Sequence, residues 1–419
     1  MTLPNFTEIH QQFDAPAVEN IVRTTESEVS RMIEETNLPS GSTVAVATGS
    51  RGISNIATII KHVISALGRA GMKPFVVPAM GSHGGATSEG QRRVLENYGI
   101  SEAIIGCPIY SEIEPETLGE TADGLPVYLD RNALSADHIV VVNRVKPHTD
   151  FKGSVGSGLM KMLAIGLGKQ KGASYYHGAV FEYGFEHMIS TVSQYVLQHA
   201  PIAFGLAILE NAYDQTAHIV GVPANGLETE ERKLFQEAQR LMPSLPSDDI
   251  DILIVDEMGK NISGTGMDTN IIGRRMQNFE TEPEIPRILR IIVRDLTPES
   301  EGNAVGIGLA DFTTRRLVDQ INHQYTYINA ITGMSPQKSR IPVFLDTDRE
   351  VIEAAFSTIG MKPPKDARAV RIKNTLSLGR IAVSDALLEE IGIQNKIKIT
   401  SSHQPLVFDE RGTLAPLTG

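Results

Sequence analysis

Residues 143–177 read NRVKPHTDFKGSVGSGLMKMLAIGLGKQKGASYYH, with two imidazoles, His148 and His177, on either side of a glycine-rich loop and of one lysine in an apolar run, Lys161. An imidazole titrates near neutral pH, so it can ligate a metal or carry a proton. A lysine among apolar residues can shed its proton and become a nucleophile or a point of covalent attachment. Taken singly, Lys161 is most simply a side chain that snorkels to solvent, and His177, after two tyrosines, a packed imidazole. His148 is different. It follows a proline that stiffens its approach, in a charged loop directly after the apolar run 140–143, and such strand-end loops carry function more often than not.

Other glycine-flanked loops add candidates. MGSHGGATSEG (80–90) sets His83 between a strand and a helix, where glycines let a ligand approach and the helix start offers free N–H groups. A histidine bonded to its own loop is the equal alternative. TGSRG (48–52) sets Arg51 at a strand end, able to grip a carboxylate or phosphate as a fork, or simply to face solvent. GMSPQKSRIP (333–342) presents Lys338 and Arg340 before a strand, and DEMGKNISGTGMDTN (256–270) is a glycine-rich loop that either closes over a site or is only a loop. Lys169 and Lys171 read as solvated charges, Cys107 as a buried thiol. His10, His62, His138, His187, His199, His218, His323 and His403 lack comparable neighbours and read as surface or core residues.

Phosphate-binding loops fail on spacing. Gly168-Lys169 is followed by Gln170 and Gly259-Lys260 by Asn261, where a P-loop needs Ser or Thr. Gly156-Ser157-Gly158 has Lys161 where a dinucleotide fingerprint needs its third glycine.

The elements that must position these residues alternate strand and helix. TVAVATG (43–49) is a buried-strand pattern. Ser54 is the expected cap of a helix over 55–71, with Ile56, Ile59, Ile60, Val63, Ile64 and Leu67 facing inward. A strand at 74–81 follows, then a helix in which Ser88 and Gln91 have capping-box spacing. Such a βαβ order predicts a parallel sheet whose carboxyl ends hold the ligand, grouping Arg51, His83 and His148. Strands are expected at 202–210, 219–224, 250–259, 287–296, 304–312 and 341–346, and helices at 228–243 and about 313–331. A hairpin or edge is expected in the tail. The linker-like SLPSDD (244–249) divides the chain into two α/β domains, 1–246 and 247–419, with mainly parallel sheets and an active site in the crevice between them.

Composition sets outer limits. The chain has 419 residues, 41% hydrophobic and 21% charged, with ample material for a core. A net charge of −12 argues against nucleic acid and anionic membranes as partners. One cysteine rules out a disulfide framework and multi-cysteine metal sites. Without a recognisable signal segment or an apolar run of spanning length, a cytoplasmic location is expected. A homo-oligomer is compatible with these features.

Strand-TGSRG, SHGGATSEG, and KPH followed by a glycine/serine-rich loop, Lys161 and, sixteen residues on, His177 resemble the nickel-dependent lactate racemase family. The resemblance covers most of the N-terminal half and, more weakly, the second domain. It implies a racemase or epimerase of a 2-hydroxy acid that moves a proton and a hydride with a nickel-pincer nucleotide, a doubly thiolated pyridinium mononucleotide. By the resemblance, Lys161 carries that cofactor through a thioamide and His177 ligates the nickel. His83 and His148 handle protons, and Arg51 contacts substrate or phosphate. Gln337 and Lys338 are approximate counterparts of residues that contact the substrate carboxylate. The chain differs from the lactate enzymes in lacking an acidic residue just before Arg51 and in its longer GSVGSG loop, so a hydroxy acid other than lactate, or besides it, is expected. The alternatives are a nickel-independent enzyme such as a dehydratase, and a non-catalytic protein that binds an acidic metabolite.

Overall fold

The apolar run at 43–49 becomes the strand Thr43–Thr48, buried along nearly its whole length, as a strand covered on both faces must be. It pairs in parallel with Lys73–Pro78 on one side and with His138–Arg144 on the other. Ile202–Glu210 extends the parallel set, and Thr216–Pro223 closes it as an antiparallel edge. In this computed structural model, residues 1–49, 52–278, 280–392, 396–401 and 403–417 are described.

Helix Ile56–Arg69 turns the six expected apolar positions inward, onto Val44, Val46, Val140 and Val142 of the sheet. Its start differs from expectation. Asn55, in the left-handed region at φ 61°, occupies the cap position without a side-chain bond, while the backbone N–H of Ser54 donates to Glu210 Oε1 at 2.5 Å. Similarly, Thr87 rather than Ser88 caps Ser88–Asn97, accepting from the Gly90 N–H. These elements form one unit, Ala15–His148 with Lys152–Met242.

A second unit gathers Met1–Asp14, Thr149–Phe151 and Pro243–Gly419. Its nine-stranded sheet runs Val343–Leu345, Phe312–Thr314, Arg287–Val293, Asp249–Val255, Ala369–Ile372, Arg380–Ser384, Asn5–Gln11 and Ile397–Ile399, with Gln404–Pro405 also paired to Asn5–Gln11. The first five strands are parallel and the rest antiparallel. The first fourteen residues, which chain order alone would join to the N-terminal half, cluster here because Asn5–Gln11 pairs with Arg380–Ser384. The tail forms the expected edge on that strand. Two expectations are corrected. The glycine-rich 304–312 is largely turn, and only Phe312–Thr314 forms a strand. The helix expected over 313–331 breaks into Arg315–Asp319 and His323–Thr332, with Asn322 capping the second piece.

Candidate active site

Thr48 lies opposite Pro78 in one ladder and Val142 in the other, so Thr43–Thr48 and Lys73–Pro78 end level, while His138–Arg144 runs on to Arg144. Beyond Thr48, a Cβ on Gly49 would meet Asn143 Oδ1 at 2.5 Å and Met162 Cε at 3.7 Å, which sets the start of the TGSRG loop against the residue next to Lys161. Arg51 itself lies outside the described residues. Just past it, Glu210 holds the Ser54 N–H and pairs with Arg144. Nearby, burial and then the Glu210 charge push the Asp214 carboxyl above its ordinary range.

The His83 loop is pinned at its backbone. The Gly81 N–H, at φ +57°, donates to Gly166 O at 3.3 Å, and Gln91 Nε2 donates to Gly81 O at 2.9 Å and His83 O at 3.4 Å. Gln91, expected to close a capping box, thus holds the histidine loop instead, because its buried side chain reaches back across the tight Gly84–Gly90 approach. Gly166 ends the turn that begins right after Lys161, so the His83 and Lys161 segments are joined through one hydrogen bond.

Lys161, half-buried, closes the short helix Leu159–Lys161. The chain then widens into a π-turn over Met162–Gly166, closed by the Leu167 N–H to Met162 O at 2.8 Å, before continuing as Lys169–Tyr183, which carries His177. Wide turns of this kind recur at functional sites. His148 and His177, both half-buried, lie 6.0 and 6.4 Å from the ring of the buried Phe185, centroid to centroid. Phe185 opens the helix Phe185–His199, and nothing in the sequence singles it out; its neighbours in FEYGFEH carry no chemistry-bearing pattern.

Acidic residues shape the GSVGSG loop. Glu186 accepts from the Ser154 N–H at 3.2 Å and from the Ser154 hydroxyl. A Cβ on Gly156 would strike Lys146 O at 2.4 Å and the Phe235 ring at 2.5 Å, and one on Gly158 would strike Glu231 Oε1 at 2.1 Å. Glu231 is fully buried on Leu227–Leu241, and burial pushes its carboxyl up to about 7 despite bonds from the Met160 and Leu159 N–H groups. The folded chain therefore holds a proton there at pH values where the unfolded carboxyl, ionising near 4.5, has released it. Stability falls as pH rises between those two values. In urea titrations, Glu231→Gln is expected to gain on the wild type across this window by up to a few kcal/mol, each tenfold change in proton affinity being worth about 1.4 kcal/mol. Equal pH slopes for the two proteins would contradict this.

Lys169 overturns its expected role as a solvated charge. It is fully buried, its ammonium 2.6 Å from Asp130 Oδ2 and donating to Pro78 O at 2.8 Å. Sequence reading missed it because its neighbours Gln170 and Lys171 are exposed and no local pattern marks a partner 39 positions earlier. Lys171 is exposed as expected, its ammonium over the Tyr128 ring. Cys107 is buried, and burial raises its thiol to about 11, as suits a packing residue.

The remaining candidates lie in the second unit. Gln337 Nε2 donates to Met276 O at 2.7 Å, and the buried Lys338 pairs with Asp150 at 2.5 Å. In the 256–270 loop, Lys260 Nζ donates to Gly264 O and to Asn329 Oδ1, so the loop is braced by one bond within itself and one to the helix His323–Thr332. Among the described residues, no group of three or more His, Cys, Asp or Glu is placed to hold a metal ion by itself, and no helix is long and apolar enough to cross a membrane.

Comparison with known families matches residues 17–187, the stretch that holds His83, His148, Lys161 and His177, to the lactate racemase N-terminal domain. The match spans 171 of the 419 residues, and over that stretch the chain is a lactate racemase-like domain. Among solved structures, the lactate racemase apoprotein from Thermoanaerobacterium thermosaccharolyticum is similar, with a TM-score of 0.50 and 12% identity over 88% of this chain and 94% of that one. At that identity the likeness is one of fold: mixed α/β with mostly parallel sheets, as expected. No curated protein matches the chain. The match bears out the resemblance to lactate racemases over residues 17–187.

Proposed function

We propose that this chain racemises or epimerises a 2-hydroxy acid, other than lactate or besides it, using a nickel-pincer nucleotide carried on Lys161. The observation that supports this most is the pairing of His148 and His177 about Phe185, with the His83 loop bonded to the turn that follows Lys161.

The donor set fits such a group. With no protein cluster able to hold a metal alone among the described residues, a nickel ion would take most of its ligands from a bound organic group. Such a group asks the protein for an amine to anchor it, Lys161, and one imidazole, His177, and nickel accepts imidazole readily. When bound, the cofactor supplies hydride acceptance and return at the substrate carbon. The chain does the rest. His83 and His148 each take the hydroxyl proton of one enantiomer and give a proton back to the other. Arg51 grips the carboxylate in a fork. Phe185 packs its ring beside both imidazoles.

Protein purified from a host that makes the cofactor is expected to carry an adduct on the Lys161 peptide, to contain nickel, and to racemise a 2-hydroxy acid. Lys161→Arg should lose all three. Unmodified Lys161 without nickel or racemisation overturns the reading, and turnover by metal-free protein would favour a nickel-independent enzyme.

A further inference from the structure

We infer that Glu231 is a positioning residue for Lys161, holding it through the backbone of the short helix that presents it. The meaning of Lys161 rests on the proposed function; the geometry does not. Glu231 reaches from the helix Leu227–Leu241 to the start of Leu159–Lys161, where its Oε2 accepts the Met160 N–H at 2.8 Å and its carboxyl also takes the Leu159 N–H. These first N–H groups have no partner inside their own helix. Gly158, at the cap position, has no side chain to offer, so the cap comes from a residue 71 positions after Met160.

The arrangement is a demanding one. Glu231 is fully buried, its Oε1 has no hydrogen-bond partner, and that oxygen sits where a Cβ on residue 158 would come within 2.1 Å. Packing alone would be better served by an apolar side chain, since a buried carboxyl with one unsatisfied oxygen is destabilising. What the carboxyl adds is a charge-sensitive grip on the residue before Lys161. Ionised, it strengthens both N–H bonds and complements the positive end of the helix; neutral, it loosens them.

On its own helix Glu228 opposes that ionisation and Arg232 favours it. The elements packed against the helix contribute Lys161, Glu210 at the end of Ile202–Glu210, and His218 on Thr216–Pro223. With burial raising the carboxyl to about 7, the grip changes across neutral pH.

The test uses full-length protein without adduct. Acylation of Lys161 by an N-hydroxysuccinimide ester is followed by peptide mass from about pH 6 to about pH 9 in wild type and Glu231→Gln, with the exposed Lys61 as internal reference. The wild-type to variant rate ratio at Lys161 is expected to change about threefold or more between about pH 6 and about pH 8, while the ratio at Lys61 stays constant. A ratio at Lys161 that does not vary with pH overturns the inference. Glu231→Leu is a second variant; should it fail to fold, Glu231→Gln carries the test. Because the protein is unmodified, absence of an adduct in cofactor-making cells would sink the proposed function and leave this result intact. An adduct with an invariant ratio would sink this inference alone.

Discussion

His148→Ala is expected to lower racemisation by roughly 10²- to 10⁴-fold in kcat/KM, the usual worth of a positioned general acid–base. His83→Ala should do the same. Because two enantiomers have equal free energy, the loss must be identical in both directions for either variant, even though each imidazole serves one enantiomer as base. Measured from both pure enantiomers by chiral chromatography, a variant that keeps the wild-type kcat/KM would contradict the two-base assignment. His199→Ala is a suitable control, since that ring stacks on Tyr195 away from the site. Phe185→Leu should weaken turnover as well, because it removes the ring packed beside His148 and His177 without removing either imidazole.

Lys169→Met is expected to destabilise the N-terminal unit by about 3–5 kcal/mol, the typical consequence of leaving one partner of a buried ion pair uncompensated. Asp130→Asn should be destabilising for the complementary reason while keeping the oxygen that accepts the Ala133 N–H at 2.9 Å. The double variant should recover much of the loss, and a denaturant double-mutant cycle reads the coupling directly. Additive losses would mean the pair does not interact. An effect on turnover should accompany the loss, since Lys169 joins the end of Lys73–Pro78, which launches the His83 loop, to the start of the helix that carries His177.

How much of this was legible depends on whether the signal was local. The strand Thr43–Thr48 was legible as a short, largely apolar run, as burial on both faces requires, and the helix Ile56–Arg69 because burial on one side imposes a period that six apolar residues record. The carboxyl-end loops followed from the βαβ order. Lys169 was not legible, because a charged residue beside exposed neighbours looks solvated unless its partner, Asp130, is known to fold onto it. Asn5–Gln11 belongs to the same class: its ladder partner lies at the far end of the chain. Phe185 and Gln91 act on candidate residues through one ring and two carbonyl bonds, contacts that residue type and spacing do not encode.

The π-turn at Met162–Gly166 is the first of two departures from regular helix on the path from Lys161 to His177. Past it the chain turns at Leu167–Gly168, and Lys169 stands in the left-handed region at φ 55°, so the helix that carries His177 starts from a bent joint rather than as a prolongation of the first. The buried ion pair of Lys169 with Asp130 sits at that joint. The aim of the His177 imidazole is therefore set at a hinge clamped by charge, and the residue that bends the backbone is the same one that locks the bend.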